Sequence, residues 1–203
     1  MKKSIISVLS AILLTQNLAY SSEVEYSGLV EVSGGTILGS DMFSAGGVQS
    51  GITIDEGMRD NSSSLMSIGA GMDATNDRFK FQLIGSYGKL VNGDLTSNVL
   101  KVDAAAYYIG SQTNKFGIGM HVSSLSLFSP SWNGLANLSL QDSSAIVPGL
   151  AIFFGDELIV KATVDYVSGS KFIVNKQPVG VTLSSSTISV DGTMVQVALL
   201  YKF

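Results

Sequence analysis

The sequence has no cysteine, which excludes a disulfide framework and a lipid-bearing cysteine. With only 3 prolines and 14% charged residues, it has neither a proline-rich linker nor a charged tail to divide it. There is no basic run, and acids outnumber bases, a balance that argues against nucleic acid or a heparin-like polyanion as partner. Also missing, beyond the first turns of sequence, is any apolar stretch near the ~20 residues a transmembrane helix needs. Yet the mean hydropathy is +0.35, oily for a secreted soluble domain. Hydrophobicity without helix-length runs is what a transmembrane barrel produces, because lipid-facing side chains alternate with interior ones. The 22 glycines, with abundant serine and threonine, fit many strands and few helices.

Met1–Ser21 has the layout of a secretory signal peptide. Lys2 and Lys3 form its charged start, Ile5–Leu14 its short apolar core, and Ala19-Tyr20-Ser21 a small-x-small cleavage site. Residues 22–203 then read as one domain without repeat or linker. Without the two leader lysines, ten basic side chains face sixteen acidic ones, a net charge of −6.

Within that domain, alternation of apolar and mixed positions predicts strands at Val24–Ser33, Met66–Ala74, Phe79–Gly88, Leu100–Tyr108, Phe116–Ser123, Ile146–Phe154, Leu158–Val167 and Thr193–Phe203. The sixth is apolar on both faces. The connections read long (Gly34–Ser63), short (Thr75–Arg78), long (Lys89–Ser97), short (Gly110–Asn114), long (Ser124–Ser143), short (Gly155–Glu157) and long (Ser168–Gly192). Even strand number with alternating long loops and short turns predicts an all-β fold: an eight-stranded antiparallel transmembrane β-barrel, a meander with long extracellular loops and short periplasmic turns.

Charge decides which face meets lipid. One face of each predicted strand carries no Asp, Glu, Lys or Arg and gathers aromatics near the segment ends, among them Tyr26, Phe79, Tyr108, Phe116, Phe154 and Tyr166. The other carries Glu25, Glu31, Asp73, Lys80, Lys101, Asp103, Lys161, Asp165 and Lys202, with His121 near the middle. A lysine at mid-membrane on a lipid face costs about 2–4 kcal/mol, so the charged face looks into the barrel. Its acids and lysines are expected to pair across the lumen as a polar network. A narrow porin-like path for ions, or a carrier of small or hydrophobic solutes, is the competing reading, since interior Gly, Ser and Ala leave space. A soluble barrel with its apolar face inward leaves the aromatic girdles and loop alternation unexplained.

The last eleven residues, Thr193-Met-Val-Gln-Val-Ala-Leu-Leu-Tyr-Lys-Phe203, place Phe203, Tyr201, Leu199, Val197 and Val195 on one wholly apolar face. With Tyr201 and Phe203 at its end, this strand resembles the C-terminal insertion signal of bacterial outer-membrane barrels. The whole of residues 22–203 resembles the small eight-stranded outer-membrane proteins of the OmpA/OmpX type. That resemblance implies a Gram-negative outer membrane, both termini in the periplasm, and outer-membrane lipid and the barrel-assembly machinery as partners.

His121-Val122-Ser123-Ser124 is similar to the His-x-Ser pair of the lipid A deacylase family, where a histidine activates a serine and a glutamate orients the histidine. Here Ser124 stands where that family has asparagine, the next glutamate is Glu157 in a short turn, and the pair faces the lumen. A nucleophile needs its base and orienter within hydrogen-bond reach, so no catalytic residue is assigned and no enzyme is expected. Asp73, Asn76 and Asp77 lack the ligand set of a calcium loop and read as turn formers; no metal or cofactor is expected.

The loops remain as functional candidates. The third is apolar for exposed sequence, and its Phe128 and Trp132 are candidate contacts for lipid headgroups or for a host or phage surface molecule. The fourth alternates at Phe172–Val174, Val179–Leu183 and Ile188–Val190, which predicts strands standing above the membrane with an edge open to pairing. The expected function is a non-enzymatic structural or adhesive surface protein acting through loops one, three and four.

Overall fold

A computed structural model describes residues 24–109 and 115–203. The leader Met1–Ser21 and the turn Gly110–Asn114 lie outside the described residues. In chain order the strands are β1 (Glu25–Leu38), β2 (Phe43–Gln49), β3 (Ile52–Met58), β4 (Ser62–Thr75), β5 (Phe79–Asn92), β6 (Leu95–Ile109) and β7 (Phe116–Trp132). Then come β8 (Ser139–Leu140), β9 (Ser143–Gly155), β10 (Leu158–Val167), β11 (Lys171–Lys176), β12 (Val181–Leu183), β13 (Thr187–Ser189) and β14 (Gly192–Lys202). Eight of them close an antiparallel barrel in the order β1-β14-β10-β9-β7-β6-β5-β4, with β1 bonded to both β4 and β14. These are the eight strands that the alternation predicts, most of them longer.

The alternation produces this barrel because every second side chain points the same way. Inward positions are buried; outward positions expose Val30, Ile68, Leu83, Leu100, Ile118, Leu150, Val160 and Val197, with Tyr26, Tyr108, Phe154 and Tyr166 nearer the ends. Among the described residues Lys89, at the far end of β5, is the one charged outward side chain on the barrel strands. A continuous apolar exterior around a charged interior is stable only in lipid, and closure leaves no unpaired edge there. Met120 sits near the middle of this band on β7 and is 70% exposed. Met120→Lys should lower barrel stability by about 2–4 kcal/mol in urea unfolding from bilayers. A change below a few tenths would remove Met120 from the lipid face.

Glu25, Phe203 and the described short turns lie at one end of the barrel, the turn end. There Gly28 N–H donates to Phe203 O and Phe203 N–H donates to Gly28 O, both at 3.0 Å. A Cβ on Gly28 would run into the Phe203 ring, so the terminal phenylalanine lies flat on the seam strand. At the opposite end, the expected loop at Lys89–Ser97 is not a loop. β5 and β6 run through it to a two-residue turn, Gly93-Asp94, with Asn92 paired to Leu95 and Gly93 at φ +53°. Glycine as the first of the two turn residues supplies the positive φ that such a tight hairpin needs.

The other three connections at that end build a cap. β2 and β3 form a hairpin from the first connection, and β12 adds to β2. β11 pairs with β13 and with β8 from the third connection. Nearly half of the expected third loop is β7 itself, carried on to Trp132. The fourth connection therefore binds the first and the third together.

Candidate functional site

The lumen is stacked in three layers. Nearest the turn end, Tyr107 and Phe153 meet edge to face at 5.0 Å, among Leu29, Ile109, Ile159 and Leu200. Within this layer Lys80 Nζ lies 3.3 Å from Asp73 Oδ2 and 4.7 Å from the centre of the Phe153 ring, with both charged side chains buried. Asp73 therefore belongs to the lumen and not to the adjacent turn. There Asn76 Oδ1 accepts from the backbone N–H of Arg78 and Phe79 at 3.0 and 2.8 Å.

The middle layer is charged. Lys161 on β10 spans to Glu31 Oε2 on β1 at 2.9 Å and to Asp103 Oδ2 on β6 at 3.3 Å. His121 on β7 meets Asp103 Oδ1 through Nδ1 at 2.7 Å and Asp165 Oδ1 through Nε2. Ionised carboxylates only accept, so an imidazolium, which donates from both nitrogens, satisfies this arrangement. Thr163 Oγ1 donates to Asp165 Oδ2 at 2.9 Å. Facing this group, Gly149 has no Cβ because one there would collide with Asp165 and His121.

Lys101 departs from the expected pairing. Among the described residues no carboxylate lies within 4 Å of it, and its ammonium donates to Gln196 Oε1 at 3.1 Å. Glu25 and Lys202 are likewise outside the network. They pair with each other at 3.4 Å on the turn-end rim, where the Glu25 side chain is 66% exposed. Alternation assigns both to the inner face, but the barrel ends before they are enclosed.

Ser123 Oγ donates to Asp103 Oδ1 at 3.0 Å. The serine and His121 thus share a carboxylate instead of forming a nucleophile–base pair, and both are buried in the lumen. Glu157, in the β9–β10 turn, offers its backbone carbonyl to Lys202 N–H.

The layer under the cap is apolar. Inward residues Ile37, Leu65, Leu90, Val99, Leu127 and Met194 meet cap residues Phe43, Met58, Phe172 and Ile188, all buried. Trp132 belongs to this core, which corrects its assignment as an exposed loop contact. It is 8% exposed, packs edge to face on Phe43 at 5.3 Å, and donates from Nε1 to Glu56 Oε1 at 2.9 Å. The cause is a bulge: three steps along β7 from Phe128 to Ser131 face two along β6 from Asn98 to Thr96, with Ser129 at φ +49°. One extra residue reverses the facing of everything after it. Phe128, just before the bulge, is half-buried on a barrel strand with its ring 6.2 Å from Tyr87.

Glu56 also accepts from the backbone N–H of Leu135 and Ala136, so one carboxylate fixes the start of the third connection. Sequence reasoning passed over it. One acid among several in a polar stretch gives no signal until its donors, some eighty positions on, fold against it. Beside it an open recess of about 550 Å³ is lined by Asp55, Arg59, Asp60, Asp94 and Asn133.

No family model and no curated protein matches the sequence. Solved structures similar to the chain include the outer membrane protein OprG from Pseudomonas aeruginosa, 15% identical with a TM-score of 0.48, covering 87% of this chain and 95% of that one. The outer membrane protein AlkL, solved in lipid bilayers, is 12% identical with a TM-score of 0.42, covering 91% of this chain and 94% of that one.

Proposed function

We propose that this chain, a closed eight-stranded barrel of the outer-membrane type, is a non-enzymatic, non-conducting surface protein whose barrel anchors a built cap. In this reading both termini and the short turns face the periplasm, and the cap faces outward with a structural or adhesive role. Its partners are outer-membrane lipid, the machinery that inserts barrels, and a host or phage surface molecule met by the cap. The observation that carries the reading is the filled lumen: an aromatic layer, a charged layer and an apolar core lie in series along it. Apolar layers on both sides of the charged one exclude a flow of ions, because an ion crossing them leaves water without gaining a partner. Purified protein in planar bilayers is therefore expected to show no steady conductance. Stable, reproducible single-channel currents would overturn the reading. A peptide tag beside Val179, 96% exposed on the cap, should be labelled on intact cells; labelling only after outer-membrane disruption would reverse the orientation.

A second reading, a carrier for small hydrophobic solutes, is favoured by one specific observation. β9 and β10 pair from Gly155↔Ile159 to Gly149↔Asp165, after which only an isolated bridge, Ile146↔Ser168, joins them. Pro148 stands at this break and has no N–H to give a ladder. If the break is a route into the apolar core, Pro148→Val should reduce uptake of a hydrophobic dye into proteoliposomes. Uptake no faster than in protein-free vesicles would dispose of this reading.

A further inference from the structure

Among the described residues every lumenal cation except one has a carboxylate within 4 Å. Lys80 has Asp73, Lys161 has Glu31 and Asp103, and His121 has Asp103 and Asp165. Lys101 is the exception, although it is only 3% exposed. Its ammonium has three N–H donors, and one protein acceptor, Gln196 Oε1, takes a bond from it.

The unpartnered groups nearby are an amide N–H₂ and a hydroxyl, both able to donate. Gln196, also 3% exposed, turns its Oε1 to Lys101 and leaves Nε2 without a partner among the described residues. Because Oε1 and Nε2 belong to one amide, the free N–H₂ group lies beside the ammonium. Ser86 is the β5 residue directly opposite Lys101 in the ladder, and its buried hydroxyl likewise has no protein partner. A buried donor left without an acceptor costs about 1–3 kcal/mol, and a buried ammonium short of partners costs more. A group of donors around one unpaired positive charge calls for a ligand that only accepts and carries negative charge.

We propose that the lumen binds a small inorganic anion of halide size between Lys101 Nζ and Gln196 Nε2, with the Ser86 hydroxyl on the adjoining wall. The apolar layers on either side place the site away from both mouths of the barrel, so the anion is taken up as the barrel closes. The site lies apart from the cap and holds whether or not the cap is adhesive.

The test is urea unfolding of the full barrel in detergent micelles, refolded at constant ionic strength while sodium bromide replaces sodium gluconate, an anion too large for the site. A ligand bound by the folded state alone raises stability with the logarithm of its concentration above its dissociation constant. The unfolding midpoint should therefore climb with bromide. The key variant is Gln196→Glu, which sets a carboxylate of the same shape beside Lys101 and makes the anion redundant; its midpoint should not respond to bromide beyond gluconate. Lys101→Met should also lose the response, and if it does not fold, Gln196→Glu still decides the matter. A parent midpoint indifferent to bromide would mean that water alone meets these donors. An equal response in parent and Gln196→Glu would mean that halide acts elsewhere on the protein or micelle. Either result overturns the proposal.

Discussion

Lys161→Met is expected to destabilise the barrel by about 3–5 kcal/mol, read as a lower urea midpoint for loss of heat-modifiable gel migration. Lys161 is the one side chain that joins β1 to β6 across the lumen, and both its carboxylates are buried. Methionine fills the same stem volume but leaves Glu31 with no cation within 4 Å among the described residues. Asp103 retains His121 and Ser123, so Glu31 carries most of the loss. Lys161→Met combined with Glu31→Gln should recover much of it, because no uncompensated charge then stays buried. A single variant within about 1 kcal/mol of the parent would show that water reaches the layer and screens it.

Trp132→Ala should cost the cap about 3–5 kcal/mol, the range for removing a large buried aromatic. The ring packs on Phe43, and its N–H holds Glu56, which in turn holds Leu135 and Ala136. Loss should be local: residues 133–142 become open to protease and to hydrogen exchange while the membrane barrel still resists heat in detergent. Trp132→Phe keeps the packing and loses only the hydrogen bond, so its protection should fall between the two. Since Trp132 is the sole tryptophan, its fluorescence in the parent reports cap melting separately from barrel unfolding. Coincident transitions by fluorescence and by gel shift would make cap and barrel one cooperative unit.

The barrel was legible because lipid imposes a strict rule on one face of every strand. A single charge there is costly, so Lys80, Lys101, Asp103, Lys161 and Asp165 announce their facing wherever they fall on a strand. The rule weakens where membrane gives way to water. Beyond the band the faces exchange character: in β7 Ser124-Leu125-Ser126-Leu127 still alternates, but with leucine inward and serine outward, and in β5 Lys89 points outward. The Gly93-Asp94 turn went unread for that reason, being absorbed into a stretch taken for a loop. Trp132 was misplaced for another: the bulge at Ser129 inverts facing, and no local pattern in Phe128-Ser-Pro-Ser131 records it. Which lysine meets which carboxylate was never in the sequence pattern. Facing follows from position within a strand, whereas pairing across the lumen depends on barrel stagger, and that left Lys101 opposite an amide.

The stitching of β12 onto β2 sets an order of events. Ser44 N–H donates to Ser184 Oγ, two positions 140 residues apart, and Val181 pairs with Gly47 beside them. So distant a pairing is slow to form, since its ends must first be brought together at an entropic cost that nearer contacts do not bear. The first connection leaves the barrel wall early in the chain, yet its hairpin has no third strand until the last connection has crossed. The surface unit is thus completed late, after nearly all of the wall strands exist. A chain stalled in assembly would present an unfinished sheet edge, and a finished cap requires a chain that already holds seven of the eight wall strands.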